Sequence, residues 1–322
     1  MHSDSNAPWA GMDVASEWVD IAVIQNNKVI EQWRCARSEA GLREAAERLR
    51  QHQVNGVVLE PTGKLEVMVG IAVAAAGLAV FRINAKRIRD FARAQGVLAK
   101  TDRVDARVLA LFGERMRPEP RAWLDANRQQ LAEWIARQRQ LVDLRTAERN
   151  RLPRTTVVAL RRSIERTLRF LAKELERVEG ELSAWWDEHA GAWHEPAARL
   201  RTMPGVGPKT ARVLIAHLPE LGCANRRQIA SLAGLAPIAC ESGNWRGQRH
   251  IRGGRAVVRS ALYLASWTAV RRAGTFRAIY ENLVARGKPR QLALIAVARR
   301  MLVVLNDMLR SGRDWQERMI FA

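Results

Sequence analysis

The sequence predicts an α/β domain followed by a mostly helical remainder. Short apolar segments with the alternation typical of strands occur up to about residue 83, interrupted by stretches of helical spacing. Beyond about residue 124 the apolar residues recur at helical spacing, and few strand-like segments remain. A chain of 322 residues is long enough for two domains with buried cores.

Three antiparallel strands joined by short turns are predicted first, around residues 12–14, 19–24 and 29–33. Asn26 and Asn27 supply the second of these turns. A helix that ends near residue 51 should follow, with Ser38 as its N-cap.

A short apolar run at residues 57–60 is typical of a buried parallel strand. A helix over about 65–76, a strand over 79–83 and another helix then lead to a helix that begins near Thr101. Three antiparallel strands followed by βαβ units match the ribonuclease H-like fold in order and size. We therefore expect this fold for residues 1–122.

Four carboxylates fall where this fold would bring them together. Asp13 lies within the first strand, and Glu60 ends the apolar parallel strand; burying either is costly unless it is paired or binds a metal. Asp102 and Asp105 are three residues apart at a helix start, so they face the same side. We predict that all four share a site for Mg²⁺, which prefers carboxylate oxygens. For Asp102 and Asp105, simple compensation of the helix dipole is the alternative.

The middle of the chain, residues 123–195, is predicted to be helical. A helix over about 124–151, with an apolar stripe that includes Val142, precedes Pro153. Apolar residues then recur at alternating steps of four and three, which predicts a coiled coil within the chain or between two chains. One long helix packed on its own domain is the alternative. The residues of this heptad seam are Ile164, Leu168, Leu171, Leu175, Val178, Leu182 and Trp185.

A Pro-Gly-Val-Gly turn opens the C-terminal domain, residues 196–322, and resembles a helix-hairpin-helix motif. Gly205 and Gly207 would leave backbone N–H groups open at a helix N-terminus, where a nucleic-acid phosphate can bind. Lys209 adds a positive charge at the same place. A tight turn with only a structural role is the alternative.

Ser242 lies in a Glu-Ser-Gly segment that precedes a loop rich in glycine and arginine. No acidic residue occurs between Ser242 and Tyr280. Arg246, Arg249 and Arg252 are therefore candidates for contacts with phosphate. A basic loop that touches nucleic acid passively explains the composition equally well. Helices complete the rest of the chain.

The charge of the chain favours a polyanionic partner. It contains 53 Lys and Arg against 33 Asp and Glu, a formal net charge of +20, which points to nucleic acid. Cys35, Cys223 and Cys240 form neither a zinc motif nor a disulfide framework, so we expect a reducing compartment. No secretory signal or membrane-spanning segment is recognisable, and we expect a soluble cytoplasmic protein with no membrane partner.

The motifs, taken in order, resemble the DEDD transposases of the one-ten family of bacterial insertion sequences. The resemblance covers about residues 11–309. It is carried by Gly11-Met12-Asp13, Leu59-Glu60-Pro61-Thr62-Gly63, Lys100-Thr101-Asp102-Arg103-Val104-Asp105-Ala106, the Pro-Gly-Val-Gly turn, and Ala-Gly-Leu-Ala-Pro followed by Glu-Ser-Gly.

This resemblance implies a RuvC-like N-terminal domain, a coiled-coil middle and a C-terminal transposase domain. It implies that the four acids bind the metal and that Ser242 is the nucleophile, which forms a covalent phosphoserine with DNA. A bridge RNA would pair with donor and target DNA and so choose the sites by base pairing. Dimers would assemble into a tetramer with composite active sites.

Two other functions stay open at this stage. The first is a hydrolytic nuclease of the Holliday-junction type, in which the acids activate water and Ser242 is structural. The second is a nucleic-acid-binding scaffold without catalysis. A covalent adduct that depends on Ser242 would exclude both.

Overall fold

The structure is a computed structural model that divides into two compact units, Met1–Leu124 and Asp125–Ala322. For residues 241–242, 245–246 and 320 only the backbone is described. The described residues are 7–63, 65–97, 99, 101–118, 126–238, 241–242, 245–246 and 250–320.

The first unit contains a five-stranded mixed sheet in the order β3-β2-β1-β4-β5. β1, β2 and β3 are antiparallel neighbours, whereas β4 runs parallel to β1 and β5 parallel to β4. Asn26 and Asn27 both have positive φ, as a tight hairpin turn requires. The predicted succession of three antiparallel strands and βαβ units is therefore confirmed. The strands are β1 (Trp9–Val14), β2 (Trp18–Gln25), β3 (Lys28–Ala36), β4 (Gly56–Leu59) and β5 (Val80–Arg82).

Four helices cover the two faces of this sheet. Residues of α1 and α2 share one core with the sheet, and residues of α3 and α4 share another. The Ser38 hydroxyl accepts a hydrogen bond from the Gly41 N–H, so the predicted N-cap of α1 is confirmed. The helices are α1 (Glu39–Gln51), α2 (Leu65–Ala75), α3 (Ala85–Ala94) and α4 (Asp102–Met116).

The second unit is mainly helical, with two small antiparallel ladders, β6 with β9 and β7 with β8. Across the described ranges, no helix is both long and apolar enough to cross a membrane. The helices and strands of the second unit are α5 (Ala126–Arg151), α6 (Val158–His189), α7 (His194–Arg201), α8 (Pro208–His217), α9 (Arg226–Leu232), β6 (Pro237–Ile238), β7 (Glu241–Ser242), β8 (Trp245–Arg246), β9 (His250–Ile251), α10 (Ala256–Ala269), α11 (Thr275–Ala285) and α12 (Arg290–Ser311).

The seam of α6 packs along α5 as an antiparallel pair within the chain. Trp185 Nε1 donates to Gln130 Oε1 at 3.0 Å near one end of the pair. Of the predicted seam, the middle positions from Leu171 to Leu182 are buried, but the last buried position is Trp186. Trp185 instead stacks on the His189 ring, with centroids 5.0 Å apart. Pairing of this seam between two chains stays a prediction.

Val142 belongs to the apolar stripe of α5 but is not buried. Val142 is 38% exposed, because this part of α5 buries only a narrow stripe, centred on Leu141, against α6. Farther along the pair, Leu131 and Leu182 belong to the large core that also contains the helices after residue 196. The division of this unit into a middle and a C-terminal domain stays a prediction.

Candidate active site

The parallel pairing of β1 with β4 brings two of the predicted acids to one edge of the sheet. Met12 is paired with Leu59, so the next residues, Asp13 within β1 and Glu60 directly after β4, lie side by side. Neither carboxylate is fully buried. In α/β folds, ligands commonly bind at the carboxyl ends of parallel strands, which is where these two carboxylates lie.

The N-terminus of α4 supplies the other two acids. Thr101 Oγ1 accepts a hydrogen bond from the Val104 N–H at 3.3 Å, so the predicted N-cap is confirmed. The helix begins at Asp102, which is exposed, and Asp105 is half-buried one turn later. Because the backbone of α4 lies directly on β1, this end of the helix is held near Asp13.

Gly11 explains why α4 can lie so close to β1. A Cβ atom built on Gly11 would stand 2.2 Å from the Ala106 carbonyl oxygen and 2.3 Å from the Ala110 nitrogen. No side chain fits at those distances without moving the helix. Gly11 is therefore required for packing, although it was noticed in the sequence only as part of a motif.

Asp13 lies close enough to the other three acids for their negative charges to raise its pKa. The pKa of Asp13 is raised from 3.8 to about 7, first by burial and then by the negative charges of Asp105, Glu60 and Asp102. Asp20 makes a smaller contribution of the same sign. A carboxylate surrounded by other carboxylates favours a bound cation, since a cation relieves the repulsion.

The acids are near one another without being arranged as metal ligands. In the part of the chain that the structure describes, no three acidic, histidine or cysteine side chains converge closely enough to hold a metal ion. The chemistry of the set nevertheless fits a hard divalent cation, because every donor is a carboxylate oxygen. The metal site stays a prediction, and ion binding would require the side chains to turn toward one another.

Two charged residues beside these acids were missed by the sequence reasoning. Asp20 is buried directly opposite Asp13 in the β1–β2 pairing. The Arg34 guanidinium donates to both Asp20 oxygens, with Nη2 to Oδ2 at 2.7 Å. Arg34 Nη2 also lies 3.7 Å from Asp102 Oδ2. An acid inside the apolar run Val19-Asp20-Ile21 was the available signal.

A second buried acid supports the turn after Glu60. Glu66 is fully buried, and its Oε2 accepts a hydrogen bond from the Thr62 N–H at 3.0 Å. Its other oxygen lies 2.7 Å from Nη2 of Arg82. Glu66 thus ties the first turn of α2 to the turn by which the chain leaves β4, and so helps to fix Glu60.

The second unit carries the serine segment on a β-ladder. In β7 and β8, Ser242 is paired with Trp245, and Glu241 with Arg246. These residues are described by their backbone only, and Arg249 lies outside the described residues. Arg252 is exposed directly after β9. Instead of the irregular loop that the composition suggested, this stretch includes two short ladders.

The base of this ladder region is tightly fixed. Gly234 and Gly254 both have positive φ, and a Cβ on Gly254 would stand 2.2 Å from the Gly234 nitrogen. The Arg255 N–H donates to the Leu232 carbonyl oxygen at 2.8 Å. The Arg255 side chain pairs with Glu220, with Nη2 to Oε1 at 2.7 Å. These contacts therefore fix the backbone on which the ladders are built.

The turn between α7 and α8 shows two different roles for its glycines. Gly205 has a φ of 87°, and a Cβ there would stand 2.3 Å from the Ala265 carbonyl oxygen, so this glycine is needed for packing. Gly207 is the N-cap of α8, and a Cβ there would meet nothing within 4 Å. Lys209 Nζ lies 2.9 Å from a Glu179 oxygen, in an exposed pair that a phosphate could replace. Phosphate binding at this turn stays a prediction.

Comparison with known proteins gives the family. Residues 10–157 match the family model DEDD_Tnp_IS110, described as a transposase. Residues 197–281 match a second model, described as "Transposase IS116/IS110/IS902 family". The chain carries both domains of an IS110-family transposase. A DEDD transposase domain implies a ribonuclease H-like fold, in agreement with the mixed sheet of the first unit, and such domains typically use divalent metal ions.

Individual relatives agree with these matches. The chain is 34% identical over 128 residues to an uncharacterised 43.6 kDa protein of insertion element IS110 from Streptomyces coelicolor. That alignment covers 39% of this chain and 32% of the relative, so it spans about a third of the relative's length. A pilin gene-inverting protein from Moraxella bovis is 22% identical over 324 residues, and the alignment covers 96% of this chain and 98% of the relative.

Proposed function

We propose that this protein is a transposase that moves an insertion sequence by Mg²⁺-dependent DNA strand exchange through a covalent phosphoserine. The observation that carries this proposal is the gathering of Asp13, Glu60, Asp102 and Asp105 around one edge of the first unit's sheet. The two family matches support the same reaction class. The similarity to a protein named as pilin gene-inverting is consistent with a role in DNA rearrangement.

The four carboxylates would hold Mg²⁺ in this proposal. When bound, Mg²⁺ would stabilise negative charge on the attacking and leaving oxygens of the phosphate. The carboxylates would hold the ion, and the partial burial of Asp13 would limit the access of water to it. Glu66 and the Gly11 contact keep the elements that carry these acids in place.

Ser242 would act as the nucleophile. Its oxygen forms a bond to a DNA phosphorus while the bond from that phosphorus to a sugar oxygen breaks. The serine proton passes to a base, and the departing sugar oxygen takes up a proton. A second sugar hydroxyl then attacks the phosphoserine and releases the serine, so no phosphodiester energy is lost. Serine needs such activation because its hydroxyl is a weak nucleophile at its own pKa.

The arginines of the ladder region would contact the phosphate that reacts. Arg246, Arg249 and Arg252 follow Ser242 within ten positions, in a stretch without acids. Guanidinium groups match the paired oxygens of a phosphate and would stabilise the charge of its transition state. Gly205, Gly207 and Lys209 would bind the DNA or RNA backbone elsewhere on the same unit.

DNA and a guide RNA would both bind to this positively charged protein. A net charge of +20 favours binding to the polyanionic backbones of both DNA and RNA, and this binding should weaken steeply as the salt concentration rises. Base pairing with a bridge RNA would select donor and target sites. The α5–α6 pair would mediate a dimer that assembles into a tetramer, working in the bacterial cytoplasm.

A denaturing gel tests this function. The full-length protein would be incubated with Mg²⁺, the RNA encoded beside the gene, and end-labelled donor and target DNA. We expect a protein–DNA adduct that resists denaturation and disappears in Ser242→Ala. Ser260→Ala is the matched control, because Ser260 is an exposed serine on α10, and it should form the adduct at the wild-type level.

The outcomes separate the competing functions. Cleavage without an adduct, equal in wild type and Ser242→Ala, would show a hydrolytic nuclease and refute the serine mechanism. Nucleic-acid binding without cleavage, unchanged by Asp102→Asn, would show a scaffold. Loss of both adduct and cleavage in Asp102→Asn, with DNA binding retained, would support the role of the acids.

A further inference from the structure

A row of charged residues crosses three strands beside the predicted metal ligands. The β1–β2 pairing sets Asp20 directly opposite Asp13, and the β2–β3 pairing sets Arg34 opposite Asp20. Residues that are directly opposite in antiparallel strands point to the same face of a sheet. Asp13, Asp20 and Arg34 therefore form one row, and Asp102 lies above its end.

A β-bulge determines which residue completes this row. Between Val23 and Ile24 the β2–β3 register shifts by one position. Near the hairpin turn, Ile24 is paired with Val29. If this register continued along the two strands without the shift, Trp33 instead of Arg34 would lie opposite Asp20. Bulges often re-aim a side chain next to a functional site, and this one directs a guanidinium toward the acids.

The contact between Asp20 and Arg34 is closely defined. Arg34 Nε lies 3.2 Å from both carboxylate oxygens of Asp20, and Nη2 lies 2.7 Å from Oδ2. The Trp18 ring lies 4.7 Å from the guanidinium carbon and restricts its other side. A bidentate pair with a buried carboxylate fixes the guanidinium in direction as well as in position.

The fixed guanidinium reaches the start of α4. Its Nη2 lies 3.7 Å from Asp102 Oδ2, and the Asp102 side chain is 52% exposed. Two residues earlier on β3, Gln32 Nε2 donates to the Arg103 carbonyl oxygen at 2.7 Å. β3 thus holds both the backbone and one carboxylate of the first turn of α4.

We propose that Arg34, oriented by Asp20, is a positioning residue that pre-sets the Asp102 carboxylate for binding a divalent cation. This inference rests on the proposed function, since it takes the four acids to be the metal site. An exposed aspartate at a helix start would otherwise sample several rotamers, and ion binding would have to restrict them. The Asp20–Arg34 pair adds no net charge, so it can restrain Asp102 without opposing the cation strongly.

A double-mutant cycle on metal binding tests the proposal. Mn²⁺ binding to the full-length protein would be measured by titration calorimetry for wild type, Arg34→Gln, Asp102→Asn and the double variant. We expect Arg34→Gln to weaken binding about threefold more when Asp102 is present than when it is replaced. The uncompensated charge of Asp20 affects both backgrounds and cancels in the comparison.

Two further variants keep the test informative if Arg34→Gln folds poorly. Arg34→Lys keeps a cation beside Asp20, so its thermal stability should stay near that of wild type. One ammonium cannot reproduce the bidentate contact with Asp20 and also reach Asp102, so most of the coupling should disappear. Arg43→Gln removes an exposed arginine from α1 and should leave Mn²⁺ binding unchanged.

The outcomes distinguish this inference from the proposed function. Mn²⁺ binding that is lost in Asp13→Asn but shows no coupling between Arg34 and Asp102 would overturn the positioning role alone. Tighter binding in Arg34→Gln that depends on Asp102 would also overturn it, because Arg34 would then compete with the ion. Absence of Mn²⁺ binding to the wild type would overturn both the metal site and this inference.

Discussion

Replacing Asp13 with asparagine is expected to stabilise the metal-free protein at neutral and alkaline pH. The pKa of Asp13 is raised from 3.8 to about 7 by burial and by repulsion from Asp105, Glu60 and Asp102. The folded state therefore binds a proton more tightly than the unfolded state. The contribution of Asp13 to the free energy of unfolding is most favourable below about pH 4. This contribution is lost as the pH rises toward about 7. Asparagine removes that loss.

The magnitude follows from the size of the change in pKa. From 3.8 to about 7, at about 1.4 kcal/mol per pKa unit, the ceiling is about 4 kcal/mol. Because Asp13 is only partly buried, solvent screens part of this effect, and we expect about 2 kcal/mol at about pH 8. At about pH 5 the wild-type carboxyl is largely protonated, and the variants should differ by less than about 1 kcal/mol.

Thermal and urea denaturation in EDTA would measure this difference for the full-length protein. Asp90→Asn is the matched control, because Asp90 lies exposed on α3. It should change stability by less than about 0.5 kcal/mol at either pH. Saturating Mg²⁺ should stabilise the wild type and reverse the order of wild type and Asp13→Asn, since ion binding adds stability only where the ligand is present.

Two results would refute this reasoning. If Asp13→Asn were destabilising at about pH 8 in EDTA, the carboxylate would be a favourable contact in the folded protein and the acids would not repel one another. If the stabilisation were equal at both pH values, it would not come from the charge of Asp13.

Three further substitutions test how the site is held. Gly11→Ala forces a Cβ to 2.2 Å from the Ala106 carbonyl oxygen, so we expect the free energy of unfolding in urea to fall by about 2 kcal/mol or more and Mg²⁺-dependent cleavage to be lost. The control is Gly180→Ala, at an open helical position, which should stabilise the protein by about 0.5–1 kcal/mol and keep activity. Glu66→Gln breaks the ion pair between a fully buried carboxylate and a partly exposed arginine, Arg82, and should lower the unfolding free energy by about 2 kcal/mol. An unchanged thermal midpoint would contradict the support that we assign to Glu66. Gly254→Ala clashes with backbone at the base of the serine ladder and should abolish the covalent adduct while DNA binding, measured by gel shift, persists; full adduct formation would show that this base need not be rigid.

Much of the first unit could be predicted because its signals are local. The asparagine turn, the Ser38 and Thr101 caps and the buried runs of the strands each act over a few residues. The positions of Asp13 and Glu60 next to each other followed once the strand order was assumed. No local pattern could have shown that Gly11 touches the backbone of α4, because that contact depends on the packing of two distant segments.

Other features depended on small geometric details that the sequence does not display. The one-residue bulge in β2–β3 decides that Arg34 faces Asp20, and a bulge has no reliable sequence signature. On α6, a strict seven-residue repeat drifts by about 20° per heptad from an ordinary helix. After three repeats this drift moves the buried position from Trp185 to Trp186.

The measurement that tests the central claim most directly is the identity of the residue bonded to DNA. The adduct would be trapped with Mg²⁺ and guide RNA, digested with nuclease and trypsin, and analysed by tandem mass spectrometry. Cleavage after Arg227 and Arg246 gives a peptide that contains Ser231 and Ser242, so fragment ions distinguish the two. We predict a nucleotide on Ser242. An unmodified peptide recovered while strand exchange proceeds, or a nucleotide on Ser231, would contradict the account.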